Sequence, residues 1–162
     1  LEVPPYGGDT LFANMYMAYE TLSPGMRSLL DSLNAVHSDA YLSAAAADRN
    51  ATRSGKLRTE ARDARENVHP TIRTHPETGR RALYINEPFT VRFENMTIEE
   101  SRPLIDFLLN HAKRPEFTCR FRWRKGSVAF WDNRCTHHYA INDYTGARRV
   151  LHRVTIDGDR PF

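Results

Sequence analysis

Between Phe117 and Trp123 every second residue is apolar, Phe117, Cys119, Phe121 and Trp123, while Thr118, Arg120, Arg122 and Arg124 fill the gaps. A two-residue period belongs to a strand with one face buried and the other in water, and a helix cannot satisfy it. Lys125 and Gly126 then turn the chain. Two more strands are expected beyond that turn, Ser127 to Trp131 and Arg148 to Ile156. Further upstream, Thr71 to Thr74 and Arg81 to Ile85 flank the turn formers His75 to Gly79 and read as strand, turn and strand. Strands that follow one another without alternating helices argue for an antiparallel sheet or barrel and against a doubly wound fold.

Helical signals are concentrated elsewhere. Apolar residues recur three or four apart from Met15 to Leu33, interrupted by Ser23, Pro24 and Gly25, which predicts one helix from Met15 to Thr21 and a second from Pro24 to Leu33 with Ser23 as its cap. Thr97 with Glu100 three residues later is a capping box ahead of Leu104, Ile105, Leu108 and Leu109, so a helix is expected from Ile98 to Ala112. Residues 39–67 differ in kind: four alanines, then alternating charges with few large apolar side chains. Such a stretch cannot bury much surface, and it reads as a mobile insertion, either a solvated loop or a lid.

The chain has 162 residues and a formal net charge of +3, too small an excess to argue for nucleic acid. The arginine stripe of the strand alternates with core aromatics, and nearby acids balance the arginines of the insertion, so neither makes a nucleic-acid face. No apolar run is long enough to cross a membrane, and the opening residues do not resemble a signal peptide. Cys119 and Cys135 are expected to be reduced thiols of a soluble cytoplasmic protein, with a disulfide left open.

Chemistry is densest in FWDNRCTHHYA, from Phe130 to Ala140. Adjacent His137 and His138 point to opposite faces of an extended chain, so at most one serves a given site. Asp132, the nearest carboxylate, could equally hold a turn with Asn133. Arg149 and Arg153 lie four apart and, in a strand, would share a face at about 13 Å, each offering a rigid fork matched to carboxylate, phosphate or sulfonate oxygens. His37 and Asp39 form an H-x-D triplet that could serve a metal, but they open the insertion, a poor place for a rigid site.

The strings GGDTLFANMYMAYETLSP, VHPTIRTHPETGRRALYINEPFT, RPEFTCRFRWRKGSVAFWDNRCTHHYAINDY and RRVLHRVTIDGDRP closely resemble the C-terminal two thirds of the taurine dioxygenase family of Fe(II)- and 2-oxoglutarate-dependent oxygenases. The resemblance implies an α+β fold, a double-stranded β-helix (jelly-roll, cupin-like) core with flanking helices, incomplete at the N-terminus. It implies one oxygenase domain over residues 1–162. Its motifs place His138 at the iron, Thr10 and Arg149 on the distal carboxylate of 2-oxoglutarate, Arg153 on the sulfonate of a small anionic substrate, and Phe89 in the wall of the substrate pocket. The family's own H-x-D falls before Leu1, so His37 and Asp39 are not its iron ligands. The implied reaction consumes O2 and 2-oxoglutarate, hydroxylates a small sulfonate such as taurine, and releases sulfite and an aldehyde with succinate and CO2. Alkyl sulfates and aryloxyalkanoates remain open as substrates, as do a metal-free barrel serving as a binding module and assembly into a homo-oligomer.

Overall fold

The computed structural model describes residues 2–40 and 65–162. Residues 41–64 of the expected insertion lie outside the described residues. The eight described strands, β1 (Thr10–Asn14), β2 (Asn34–Ser38), β3 (Glu66–Pro70), β4 (Ile72–Thr74), β5 (Arg81–Leu83), β6 (Thr90–Phe93), β7 (Thr118–Phe121) and β8 (Thr136–Ala140), pair only antiparallel. They form sheets of order β7-β1-β8, β3-β2-β6 and β4-β5. Helices α1 (Met15–Glu20), α2 (Pro24–Asp31) and α3 (Ile98–Ala112) complete the α+β arrangement, and none of them is long and apolar enough to cross a membrane.

The local signals act as physics requires. Asn14 ends β1 and caps α1 by accepting the Tyr16 and Met17 amide hydrogens at 3.0 and 3.2 Å. Ser23 caps α2 ahead of Pro24, accepting from the Met26 amide at 3.2 Å. Thr97 and Glu100 satisfy one another's backbone N–H groups at the start of α3, which spans the expected residues despite Pro103. Met15 and Ala18 of α1, Leu30 of α2 and Ile105 and Leu108 of α3 converge with Leu83, Ile85 and Phe93 in the core. Helix α1 therefore anchors β1 from its C-terminal end, and β1 carries both neighbours of the candidate site.

Several expectations need correction. Ser127 to Trp131 and Arg148 to Ile156 form no ladder; the second segment makes only one bridge, Val150 with Glu2. The alternation of the second is intact, but a strand needs a partner along its length, and beyond the Glu2 bridge none stands beside either segment among the described residues. Val128, Phe130, Val154 and Ile156 are consequently exposed. β7 is shorter than its alternation, since Pro115–Phe117 forms a 3-10 turn and the ladder stops at Phe121. β2, β3 and β6 were not expected at all. His37 and Ser38 lie in β2, the central strand of its sheet, and do not open a loop.

Candidate active site

The turn before β1 is built around two glycines that no other residue could replace without strain. Gly7 and Gly8 have φ of 73° and 67°, in the left-handed region. A Cβ on Gly7 would stand 2.6 Å from the Asp143 carboxylate, and one on Gly8 would stand 2.9 Å from Arg149 Cδ. The Gly8 peptide is held at both ends: its N–H donates to Asp143 Oδ1 at 2.6 Å, and its carbonyl accepts from Arg149 Nε at 2.9 Å. Arg120 Nε donates to Asp9 Oδ2 at 2.6 Å, fixing the next residue. Trp123 Nε1 then donates to Thr10 Oγ1 at 2.9 Å. Arg149, which the resemblance pairs with Thr10, thus reaches the turn at Gly8, two residues ahead of Thr10. Arg149 uses only its Nε there, and its two amino groups have no acceptor among the described residues.

Across β1 from this turn lies β8. The register pairs Thr10 with Ala140 and Phe12 with His138. His138 is therefore the diagonal neighbour of Thr10 on the same face of the sheet, with Cβ atoms about 7 Å apart. Trp131 and Phe12 flank its ring, with centroids 5.0 and 6.4 Å away. Desolvation by these walls, and next the Arg153 guanidinium, holds the His138 pKa below the ordinary histidine value. Arg153 thus acts on the histidine with which the sequence associated it, from an exposed position with no ion-pair partner among the described residues. Phe89 is half-buried beside β2, where its carbonyl accepts from the Ser38 amide at 2.8 Å. No described contact joins it to His138.

His137 points the other way, as strand alternation requires, and burial pushes it to about 4. His37 is similarly enclosed: it stacks on Tyr84 at 5.7 Å, meets His69 edge-on at 5.2 Å and lies 3.4 Å from Thr90 Oγ1. Burial first, and His69 second, push His37 down to about 4. A histidine depressed in the fold contributes stability above its unfolded value of 6.5, and that contribution is lost as pH falls toward 4. Acidification from about pH 7 to about 4.5 should therefore remove about 2 kcal/mol through His37, after discounting for its partial exposure. Denaturant midpoints measured across that range should fall less steeply in His37→Phe than in the wild type.

The only group of three clustered potential ligands among the described residues is His75, Asp132 and Cys135. It is already satisfied without a cation. His75 Nδ1 accepts the Glu77 and Thr78 amide hydrogens, both at 3.3 Å, so its proton sits on Nε2 and faces Asp132 Oδ2 at 3.0 Å. Arg134 occupies the same carboxylate through its backbone N–H at 2.8 Å and Nη2 at 2.7 Å, and reaches Glu77 at 2.8 Å. Arg134 first and His75 second hold the Asp132 carboxyl well below the usual carboxylate range. Asp132 thus holds the expected turn through Asn133, its side chain accepting the Arg134 amide and its carbonyl the Cys135 amide at 3.4 Å, and secures the segment leading into β8.

A carboxylate and an iron ion set different demands on this face. Thr10 Oγ1 accepts from a donor-only indole, which leaves the hydroxyl hydrogen to donate, and Arg149 adds two free amino groups. That donor set fits the distal carboxylate of 2-oxoglutarate. For iron, the described residues bring one imidazole on this face, His138, which belongs to no cluster of three potential ligands among the described residues. One imidazole does not by itself hold Fe(II). Trp123 and Asp143 escaped the sequence reading as site residues. The inward phase of the β7 alternation could have flagged Trp123, whereas nothing local marks Asp143.

Residues 1–155 match the family described as "Taurine catabolism dioxygenase TauD, TfdA family". The chain is 40% identical over 162 residues to the alpha-ketoglutarate-dependent sulfate ester dioxygenase of Pseudomonas putida, covering 98% of this chain and 53% of that protein. It is 35% identical to the alkylsulfatase of Acinetobacter baylyi, covering 98% of this chain and 50% of the relative. The crystal structure of a taurine dioxygenase from Burkholderia xenovorans superimposes with a TM-score of 0.73 at 39% identity, covering 91% of this chain and 45% of that one. The chain spans about half the length of these relatives. With the family match running over nearly every residue and 40% identity to the Pseudomonas putida protein across 98% of its own length, this chain belongs to the TauD/TfdA family of alpha-ketoglutarate-dependent dioxygenases.

Proposed function

We propose that the protein containing this chain is an Fe(II)- and 2-oxoglutarate-dependent dioxygenase that hydroxylates a small sulfonate such as taurine, releasing sulfite and an aldehyde with succinate and CO2. The register of β1 on β8 carries the reading: it sets an imidazole and a hydroxyl on one face at a separation that the two ends of a five-carbon diacid can bridge. Thr10 and Arg149 bind and orient the distal carboxylate, which aims the keto acid end toward His138. Bound iron would supply the oxidising chemistry with O2. Phe12 and Trp131 line the His138 ring and keep water from that side of it, and Phe89 contributes an apolar wall to the substrate pocket.

Arg153 takes the oxyanion of the substrate. A guanidinium fork does not distinguish sulfonate from sulfate ester, and similarity to a sulfate ester dioxygenase and an alkylsulfatase supports sulfate esters as the second substrate class. The test uses the full-length iron-loaded protein with taurine, alkyl sulfates and aryloxyalkanoates, following succinate together with sulfite, sulfate or phenol. Succinate release stimulated by one anionic class is expected. Arg153→Ala should raise KM for that anion by about tenfold or more while leaving KM for 2-oxoglutarate near the wild-type value. Succinate release indifferent to every anion, or an Arg153 variant altered only in stability, would remove the assignment.

A further inference from the structure

We propose that Trp123 is a positioning residue for the distal carboxylate of the cosubstrate, its indole N–H fixing the Thr10 hydroxyl as a donor toward the anion that Arg149 pairs with. The inference rests on the reading of Thr10 and Arg149 as the receptor for 2-oxoglutarate. Trp123 Nε1 lies 2.9 Å from Thr10 Oγ1. An indole N–H donates and cannot accept, so in this contact the threonine oxygen must be the acceptor. The hydroxyl hydrogen then turns away from the indole and needs an acceptor of its own.

Among the described residues no other group bonds Oγ1, and Thr10 is only 4% exposed. A buried hydroxyl hydrogen without an acceptor is unfavourable, and an arriving carboxylate oxygen removes that penalty. Without the indole, the hydroxyl could rotate and present lone pairs to the anion, which repels it. Trp123 eliminates that rotamer before the ligand binds, and so reduces the ordering that binding requires.

The indole is itself held in place. Trp123 lies two residues past Phe121, the last residue of β7, and their rings meet edge-on at 4.9 Å. Phe121 in turn pairs with Thr10 across the β1–β7 ladder. The ring packing on Phe121, the ladder partner of Thr10, therefore holds the indole beside the hydroxyl. Each donor of the receptor has its own orienting group: Trp123 for Thr10, and the Gly8 carbonyl for Arg149.

Calorimetric titration of 2-oxoglutarate into the full-length, Mn(II)-loaded protein tests this in the wild type, Thr10→Val, Trp123→Phe and the double variant. Trp123→Phe should weaken binding about five- to tenfold and raise KM for 2-oxoglutarate without a comparable fall in kcat. The double variant should bind no more weakly than Thr10→Val alone, because Trp123 acts through the hydroxyl already removed. A folded Trp123→Phe protein with wild-type affinity, or two effects that simply add, would overturn the proposal. Should Trp123→Phe fail to fold, the isotope-labelled wild type decides: the Trp123 indole N–H resonance is expected to shift on saturation with 2-oxoglutarate, and an unmoved resonance overturns the proposal. Failure of the underlying reading looks different, as wild-type protein without saturable 2-oxoglutarate binding or an Arg149→Ala variant that binds like wild type.

Discussion

Replacing Arg149 with alanine is expected to raise KM for 2-oxoglutarate by about two to three orders of magnitude, the loss typical of one partner removed from a desolvated charge pair. The arginine does two jobs that alanine cannot. Its Nε donates to the Gly8 carbonyl at 2.9 Å and so ties the C-terminal segment to the glycine turn. Its amino groups have no acceptor among the described residues and remain available to an anion. Arg120 cannot substitute, being paired to Asp9 at 2.6 Å and Asp143 at 3.4 Å. Arg149→Lys should recover part of the affinity through charge alone and remain well short of wild type, since a lysine has no fork to divide between Gly8 and the ligand. Steady-state KM for 2-oxoglutarate, measured beside KM for the anionic substrate, separates this effect from general damage, which would move both.

Asp132→Ala is expected to be the most destabilising single substitution near the site, at about 3 kcal/mol or roughly 10 °C in Tm. The carboxylate joins His75, buried beneath it, to Arg134, which continues to Glu77 at 2.8 Å and Asp159 at 3.5 Å. Removing it strands the Nε2 proton of a buried histidine and releases the arginine that braces the chain just ahead of β8. That segment also holds α1, since the Cys135 carbonyl accepts from the Met15 amide at 3.0 Å. The sign with pH follows from the depressed carboxyl: its stabilisation is present above the ordinary carboxylate range and is lost as pH falls through and below it. Thermal unfolding of Asp132→Ala against wild type should show the large difference near neutral pH and a smaller one in acid. Equal Tm values would mean that the network does not support β8.

The elements written in local code could be read from the sequence. The capping box at Thr97, the Ser23–Pro24 start of α2 and the alternation into β7 each act through residues within one turn or one strand, and each appears where its chemistry points. β2 and β3 were illegible for the opposite reason. Asn34 to Ser38 carries three polar residues, Asn34, His37 and Ser38, and no large apolar residue beyond Val36, and its strand character comes from pairing with β3 and β6, tens of residues away. The reverse failure occurred at Arg148 to Ile156, where strong alternation meets, among the described residues, no partner beyond a single bridge to Glu2.

The site divides in the same way. His138 stood out because imidazole in an alternating segment is chemically conspicuous, and Thr10, Arg149, Arg153 and Phe89 came from motif resemblance. Trp123 looked like core because half its character is core: its ring packs on Phe121 while its N–H serves Thr10. Asp143 gave no signal because its partner, the Gly8 amide, is 135 residues away in sequence. A hydrogen bond between distant segments leaves no periodicity to detect.

The assignment of this face as the receptor for one diacid is tested most directly by a crystal structure of the full-length protein with a divalent metal and 2-oxoglutarate. The distal carboxylate is predicted between Thr10 Oγ1 and the Arg149 amino groups, with the keto acid end against a metal bound by His138. A diacid lying elsewhere, or one whose distal carboxylate engages Arg153, would contradict it.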